Sequence, residues 1–402
     1  MTRSQPPIEI GVCNGASAAK PVPGWGKNLV ARYGLCGGGT TSLQTPNFIG
    51  RQKKAPAKPT PKASAPLRVV PVATKLPPCW AVAFSPDGVR LAVGTYRRVV
   101  IYEVASGNKL SDWSVSTDAI RTLAFSPDGG MIAAGTGVPG VSGVVLLLNS
   151  TSGQVIKTLK PHFDTVESVA FLGNQILSAA NDEKVCVTDA MSGQTISTLS
   201  EHVGRCLSVT VPSRTTPQDG GALFATGGAD KMFKVWDADK RRVVVNFDQC
   251  GSVVWCVAAL PQPGRFLVGS GDGALRIFGV RSDGKARDPK EPDPRTGFTG
   301  QTFGGAHPDG VYAIAVAPNG QTVASGGADK KVKVWNLGRN RLEKEFTEAT
   351  SDIWGLALSP NSQLLAAASL DGRVRLYDVI QNKLVRELPP APSTPAAPGV
   401  PQ

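Results

Sequence analysis

Long apolar segments are missing from this sequence of 402 residues. Its densest apolar run covers residues 144–148, whereas a helix that crosses a membrane needs about 18 or more apolar residues. Residues 1–30 also lack the apolar stretch of a secretory signal peptide. We therefore expect no membrane span and an intracellular, cytoplasmic protein, with the nucleus as the alternative location.

Cysteine and histidine are too few and too scattered to indicate a disulfide framework or a metal site. The seven cysteines include no C-x-x-C pair, and the chain has only three histidines. Several cysteines fall within apolar strand patterns, where a buried thiol packs as a small apolar side chain. We expect reduced, structural cysteines, no metal and no cofactor.

Acidic residues are nearly absent from residues 1–66. This segment has nine lysines and arginines but only one acid, Glu9, so it carries +8 of the chain's net charge of +12. It is rich in proline and glycine without a sustained apolar period, which predicts a disordered basic tail. Such a tail can neutralise phosphates, and an acid-poor N-terminus also fits an organelle transit peptide. Residues 391–402, rich in proline and alanine, predict a second disordered tail.

What the sequence does contain is one pattern of about forty residues that recurs seven times between Cys79 and Leu388. Each copy has a short alternating strand, a turn, a strand of small residues, a second turn and a third strand, and a fourth strand follows a polar link. The first turn is plainest as Ser-Pro-Asp-Gly at residues 85–88 and 126–129. This period indicates a radial array of small sheets. The repeats lie near residues 79–115, 118–160, 161–200, 201–248, 251–305, 306–348 and 350–388.

Two segments compete for the outermost strand of the last sheet. Residues 67–72, before the first repeat, and Lys383–Leu388, at the end of the seventh, both have strand-like patterns. Because the seventh repeat carries its own fourth strand, we favour the C-terminal segment.

Polar residues recur together at fixed positions of the repeat. The sixth copy contains His307, Ser325, Asp329 and Trp335, and the fourth contains His202, Thr226, Asp230 and Trp236. A histidine, a hydroxyl and an aspartate suggest a hydrolase triad, but the same set satisfies buried polar groups inside a sheet. We favour the structural hydrogen-bond network, because other copies keep only parts of the set. We therefore predict no catalytic residue and no enzyme.

The pattern G-x-G-x-x-G at residues 135–140 also occurs in dinucleotide-binding proteins. There a helix must begin at the third glycine, so that its N-terminus holds pyrophosphate. In this chain an apolar strand pattern follows, and Pro139 removes a hydrogen-bond donor. We predict a lengthened hairpin in the second repeat.

The seven copies together resemble the WD40-repeat family. Val235-Trp236-Asp237 contains the dipeptide that names the family, and His202 and His307 stand where its Gly-His dipeptide falls. Elsewhere the tryptophan position holds other residues: Tyr102, Leu148, Thr188, Phe278 and Tyr377. The resemblance implies an all-β fold, a seven-bladed β-propeller of four-stranded antiparallel blades, spanning residues 67–390.

The resemblance also implies that two positions beside each first strand project from the upper rim of the central channel. The position just after the strand's apolar start holds Trp80, Arg121, Glu167, Leu207, Trp255, Tyr312 and Trp354, and the position before it adds Arg205 and Asp352. Tryptophan, tyrosine and arginine dominate binding hot spots, although some of these rings can instead pack beneath neighbouring blades. We predict a scaffold that binds a protein or peptide partner within a multiprotein complex, without a small-molecule substrate. RNA or ribonucleoprotein binding by residues 1–66 is the alternative.

Overall fold

The computed structural model describes residues 76–212, 223–248, 250–280, 286–287, 302–303 and 305–388, and the regular elements in these ranges are all β-strands. The two predicted tails and residues 67–72 lie outside the described residues. Within these ranges the structure holds no helix that is long and apolar enough to cross a membrane.

The strands form seven antiparallel sheets, here called blades 1–7, with strands numbered in chain order. Blade 1 contains β1 (Ala81–Phe84), β2 (Arg90–Gly94), β3 (Tyr96–Glu103) and β4 (Lys109–Ala119). Blade 2 contains β5 (Thr122–Phe125), β6 (Met131–Val138), β7 (Ser142–Asn149) and β8 (Val155–His162). Blade 3 contains β9 (Val166–Leu172), β10 (Gln175–Ala180), β11 (Val185–Asp189) and β12 (Thr195–Leu199).

The remaining blades continue the same order. Blade 4 contains β13 (Cys206–Thr210), β14 (Leu223–Gly228), β15 (Phe233–Asp237) and β16 (Arg242–Phe247). Blade 5 contains β17 (Val254–Ala259), β18 (Arg265–Ser270), β19 (Leu275–Val280), β20 (Ala286–Arg287) and β21 (Thr302–Phe303). Blade 6 contains β22 (Val311–Val316), β23 (Thr322–Gly327), β24 (Val332–Asn336) and β25 (Arg341–Phe346). Blade 7 contains β26 (Ile353–Leu358), β27 (Leu364–Ser369), β28 (Val374–Asp378) and β29 (Lys383–Leu388).

The predicted architecture of seven four-stranded antiparallel blades is confirmed, with one variation in blade 5. There the outer edge of β19 pairs with two short strands, β20 near one end and β21 near the other. The chain between these two segments is the longest insertion in the repeat pattern, and it divides the fourth strand into two pieces.

Local chemistry explains the tight turns inside the blades. In the turn between β1 and β2, the N–H of Gly88 donates to the carbonyl of Ser85 at 2.8 Å, and Gly88 has a φ of 73° that glycine adopts without strain. The N–H of Gly129 donates to Ser126 in the same way between β5 and β6. The glycine pattern at residues 135–140 lies on β6 and its turn to β7, which confirms the lengthened hairpin.

The core lies between neighbouring blades. Phe233 and Phe247 of blade 4 contact Phe278 of blade 5, with ring centroids 5.4 and 4.7 Å apart. Each blade is a small sheet that cannot bury both faces alone, so its apolar faces are covered only when the blades stack around the axis. Packing between blades therefore supplies most of the apolar burial.

The ring closes by side-chain packing between blade 7 and blade 1. Leu91 and Tyr102 of blade 1 share a buried cluster with Leu376 and Leu388 of blade 7. Across the same seam the N–H of Cys79 donates to the carbonyl of Ser369 at 3.2 Å. The outermost strand of blade 7 is β29, the C-terminal segment favoured from the sequence, and it pairs antiparallel with β28.

Candidate functional site

Of the two predicted positions, the one just after the apolar start of each first strand is here called the rim position. Its seven residues line a single cavity at the centre of the ring. The first strand of each blade begins at the end where the second strand finishes, as the pairs Ala81–Gly94 and Val311–Gly327 show, and we call this end the upper face. The rim position lies at this end in every blade. The cavity has a volume of about 210 Å³, and the side chains at the rim position that line it are Trp80, Arg121, Glu167, Leu207, Trp255, Tyr312 and Trp354.

Three of these side chains form an aromatic cluster on blades 5, 6 and 7. The ring centroid of Trp255 lies 5.2 Å from that of Tyr312 and 6.0 Å from that of Trp354, both in edge-to-face geometry. Tyr312 and Trp354 are 5.0 Å apart. All three residues are half-buried, so the rings brace one another and still face the cavity. This arrangement provides a rigid apolar surface at small entropic cost.

The other side of the cavity is charged on blades 2 and 3. The guanidinium carbon of Arg121 lies 5.4 Å from the centroid of the Trp80 ring, a cation–π contact. Glu167 accepts a hydrogen bond from Asn181 Nδ2 at 2.8 Å. Leu207 is only 8% exposed, so it forms the apolar base of this side rather than a contact surface.

Arg205 and Asp352, the two residues predicted at the preceding position, do not line the cavity. Arg205 is exposed, and its carbonyl accepts the N–H of Ala229 at 2.8 Å. Asp352 is half-buried, and burial together with the nearby Asp309 raises the pKa of its carboxyl against the opposing effect of Lys330. The second of the two predicted positions therefore lines the cavity, whereas Arg205 and Asp352 lie outside it, and their place in a binding rim stays a prediction.

The predicted polar residues of blades 4 and 6 come together within hydrogen-bonding distance. In blade 6, His307 Nδ1 lies 2.7 Å from Asp329, and His307 Nε2 lies 2.8 Å from the Ser325 hydroxyl, which also accepts the Trp335 N–H at 2.8 Å. Blade 4 repeats this geometry at 2.8 Å for each of the three contacts, and its residues are His202, Asp230, Thr226 and Trp236.

Blade 3 contains a network that the sequence patterns had not revealed. His162 Nδ1 lies 3.0 Å from Asp182, and its Nε2 lies 2.8 Å from Ser178 Oγ. The signal was present in the sequence, because His162 stands four residues before Val166, just as His307 stands four residues before Val311. The network was missed because Thr188 stands at the position that holds tryptophan in blades 4 and 6, so the four residue types do not recur together.

In blades 5 and 7 the aspartate at the equivalent position pairs with an arginine instead of a histidine. Arg276 donates from Nη2 to Asp272 at 2.6 Å, and Arg375 Nη2 lies 2.9 Å from Asp371. Each arginine is the second residue of its third strand, four residues after the aspartate. The guanidinium replaces the histidine in these blades, where Val268 and other apolar residues replace the hydroxyl.

The hydroxyl groups of the three histidine networks lie inside the blades. Ser178, Thr226 and Ser325 are at most 1% exposed, and two of them accept a tryptophan N–H. A nucleophile must reach its substrate, so these hydroxyls satisfy buried donors and acceptors rather than attack a carbonyl.

The blade 3 network gives the protein a measurable pH dependence. Burial works to lower the pKa of His162, but its hydrogen bond with Asp182 and the nearby Cys186 raise it to about 9. An unfolded histidine has a pKa of about 6.5, so the ion pair stabilises the fold fully below that pH and loses its contribution as the pH rises through about 9. Asp182→Asn is expected to cost roughly 2 kcal/mol at pH 6 and much less at pH 9.

Chemical unfolding of both proteins at several pH values measures this difference. Asp239→Asn, at an exposed position, is the matched control and should show no such slope. A cost of Asp182→Asn that stays constant between pH 6 and pH 9 would contradict the ion pair.

The five cysteines in the described part of the chain are free and buried. Burial raises the pKa of the Cys79 thiol to about 12 and that of Cys250 to about 11, so these thiols stay protonated and pack as apolar groups. Among the described residues, no three histidines, cysteines or acids lie close enough to hold a metal ion.

The repeat geometry and a family comparison agree on what this chain is. The family model described as "WD domain, G-beta repeat" matches residues 193–237, 299–336 and 340–378, and each match ends at the third strand of a blade. These three matches and the seven four-stranded blades together support a WD40-repeat β-propeller as the family of this chain.

Several known proteins are similar to this chain in sequence. This WD40 chain is 24% identical over 187 residues to the beta subunit of a guanine nucleotide-binding protein from Saccharomyces cerevisiae, covering 46% of this chain and 44% of that protein. The protein of the same name from Oryza sativa subsp. japonica is 22% identical over 314 residues, covering 65% and 78%. A subunit of chromatin assembly factor 1 from Mus musculus is 28% identical over 163 residues, covering 35% and 27%. The chain thus spans less than half of the yeast and mouse proteins.

Proposed function

We propose that this WD40 protein is a non-enzymatic interaction scaffold whose upper face binds a peptide or protein segment. The observation that carries the proposal is the single cavity lined by four half-buried aromatic residues from one repeat position: Trp80, Trp255, Tyr312 and Trp354. Partly buried tryptophan and tyrosine beside an arginine are the usual anchors of protein-binding hot spots.

The size of the cavity favours a side chain of a larger partner over a free small molecule. Small-molecule sites usually enclose about 300–1,000 Å³, and this cavity has about 210 Å³. That volume admits one or two side chains, while the surrounding loops of the upper face contact the rest of the segment.

The names of the relatives support a role within an assembly. The yeast and rice proteins and the mouse protein are each named as a subunit. We propose that this chain also acts as one component of a multiprotein complex inside the cell. RNA association through residues 1–66 stays a prediction from the sequence, because those residues lie outside the described ranges.

Replacing both Trp255 and Trp354 with alanine is expected to abolish partner binding and to leave the fold intact. The two rings are two of the four aromatic side chains that line the cavity, and loss of one hot-spot residue typically weakens binding by about 2 kcal/mol or more. Affinity purification from native lysate, quantified by mass spectrometry against the wild-type protein, measures the loss for each partner.

The matched control is Met191→Ala with Ile380→Ala. Both side chains are exposed, and both lie in turns between third and fourth strands at the opposite end of the blades. This double variant should retain the wild-type set of partners. An unchanged set in a folded Trp255→Ala, Trp354→Ala variant would overturn the proposal.

A further inference from the structure

We propose that the cavity on the upper face selects a carboxylate side chain, so that the partner segment is an acidic peptide. This inference rests on the proposed peptide-binding function and adds the chemistry of the group that the cavity receives. It follows from the hydrogen-bonding groups that the cavity leaves without a partner.

The first of these groups is the guanidinium of Arg121. Arg121 is half-buried at the cavity wall and stacks on Trp80, and its guanidinium forms no hydrogen bond or ion pair with any residue in the described ranges. Glu167 of the neighbouring blade does not neutralise it, since within those ranges the only hydrogen bond of that carboxylate is with Asn181. A partly desolvated guanidinium without a carboxylate is ready to bind one.

The second group is the indole N–H of Trp354. Its nitrogen is buried and has no hydrogen-bond acceptor among the described residues. A buried donor without an acceptor is unfavourable, and a ligand oxygen that reaches this nitrogen would satisfy it.

The two residues that carry these donors line the cavity on either side of Trp80. Trp354 belongs to blade 7, Trp80 to blade 1 and Arg121 to blade 2, so the three positions are consecutive around the ring. Blades 7 and 1 approach so closely here that a Cβ on Gly355 would lie 2.7 Å from the carbonyl oxygen of Trp80. Trp80 therefore lies between the residue with the charged donor and the residue with the neutral one.

A carboxylate fits this arrangement better than a phosphate or a cation. Its two oxygens accept from the guanidinium and the indole N–H, and its methylene stem lies on the Trp80 ring. Phosphate recognition usually relies on a cluster of arginines, whereas Arg121 is the one basic side chain lining the described cavity. The opposite wall carries Glu167, which repels a doubly charged anion more strongly than a singly charged one.

Peptide binding tests the assignment directly. The probes are four sets of immobilised nonapeptides of random sequence, identical in design except for a central glutamate, glutamine, phosphoserine or lysine. The wild-type protein is expected to retain the glutamate set at least roughly tenfold more strongly than the glutamine set, as expected for a charged hydrogen bond.

Three variants locate the effect. Arg121→Glu should reverse the preference from glutamate to lysine, and Arg121→Gln should remove it. Trp354→Phe keeps an aromatic ring without the N–H and should reduce retention of the glutamate set by roughly threefold to tenfold. Arg241→Glu, an exposed position in the turn between β15 and β16 at the lower end of blade 4, makes the same charge change and should leave the preference unchanged.

The outcomes separate this inference from the proposed function. Equal retention of all four sets, lost in the Trp255→Ala, Trp354→Ala variant, would overturn the carboxylate site and leave the peptide-binding function standing. Stronger retention of the phosphoserine set, or a glutamate preference unaffected in both Arg121 variants, would also overturn it. Retention of no set by the wild-type protein would overturn both proposals.

Discussion

Replacing Trp236 with alanine is expected to lower the free energy of unfolding by about 4 kcal/mol. Trp236 is 0% exposed, and its ring lies parallel to Phe224 with centroids 5.6 Å apart. Its N–H donates to Thr226, which also contacts His202. The substitution therefore opens a large cavity between blades and removes one partner of a buried polar chain.

Denaturant unfolding followed by circular dichroism measures this effect. Trp255→Ala is the matched control, because it removes the same side chain from a half-buried position beside the cavity, and it should cost about 1 kcal/mol or less. Thr226→Val keeps the shape of the side chain but removes the hydroxyl that contacts His202 and Trp236, and we expect the free energy of unfolding to fall by about 2 kcal/mol. Equal losses for Trp236→Ala and Trp255→Ala would contradict the distinction between core and cavity tryptophans.

Truncation after Val379 is expected to destabilise the propeller by at least about 3 kcal/mol. The truncation removes β29, whose Leu388 is 1% exposed in the cluster that joins blades 7 and 1. It also removes Glu387, which accepts a hydrogen bond from Arg375 at 2.8 Å. The apolar side of the seam and the edge of β28 both become exposed to water.

Truncation after Leu388 provides the control, since it retains the whole of β29 and should keep the wild-type midpoint. Thermal and denaturant unfolding of the two truncated proteins measure the difference. If the protein that ends at Val379 is as stable as the one that ends at Leu388, another segment replaces β29, and residues 67–72 become the candidate. That result would overturn the closure described here.

Much of the fold follows from local sequence chemistry. The Ser-Pro-Asp-Gly turns, the alternating first strands and the period of about forty residues predict seven antiparallel blades, because each of these signals acts within a few residues of chain. The networks of blades 4 and 6 were also predictable, since their four residue types recur together. The network around His162 was missed only because Thr188 replaces tryptophan.

Other features depended on distances that no local pattern carries. The arginines that replace histidine in blades 5 and 7 were not predicted, since a basic residue on a third strand usually indicates a solvated face. The split outer edge of blade 5 depends on how β20 and β21 pair with β19. The position of Arg205 and Asp352 outside the cavity depends on how each inner strand tilts towards the axis.

The sequence by itself therefore determined the number of blades, their strand order and the repeat position that bears the large aromatic side chains. Tertiary structure alone decided that Trp255, Tyr312 and Trp354 touch one another, and that Arg121 stacks on Trp80 without a carboxylate partner among the described residues. The physical reason is the separation along the chain over which each kind of interaction acts. Turn geometry and strand alternation act between near neighbours, whereas Trp80 and Arg121 are 41 positions apart and Trp255 and Trp354 are 99 apart, so they meet only when the blades pack around the axis.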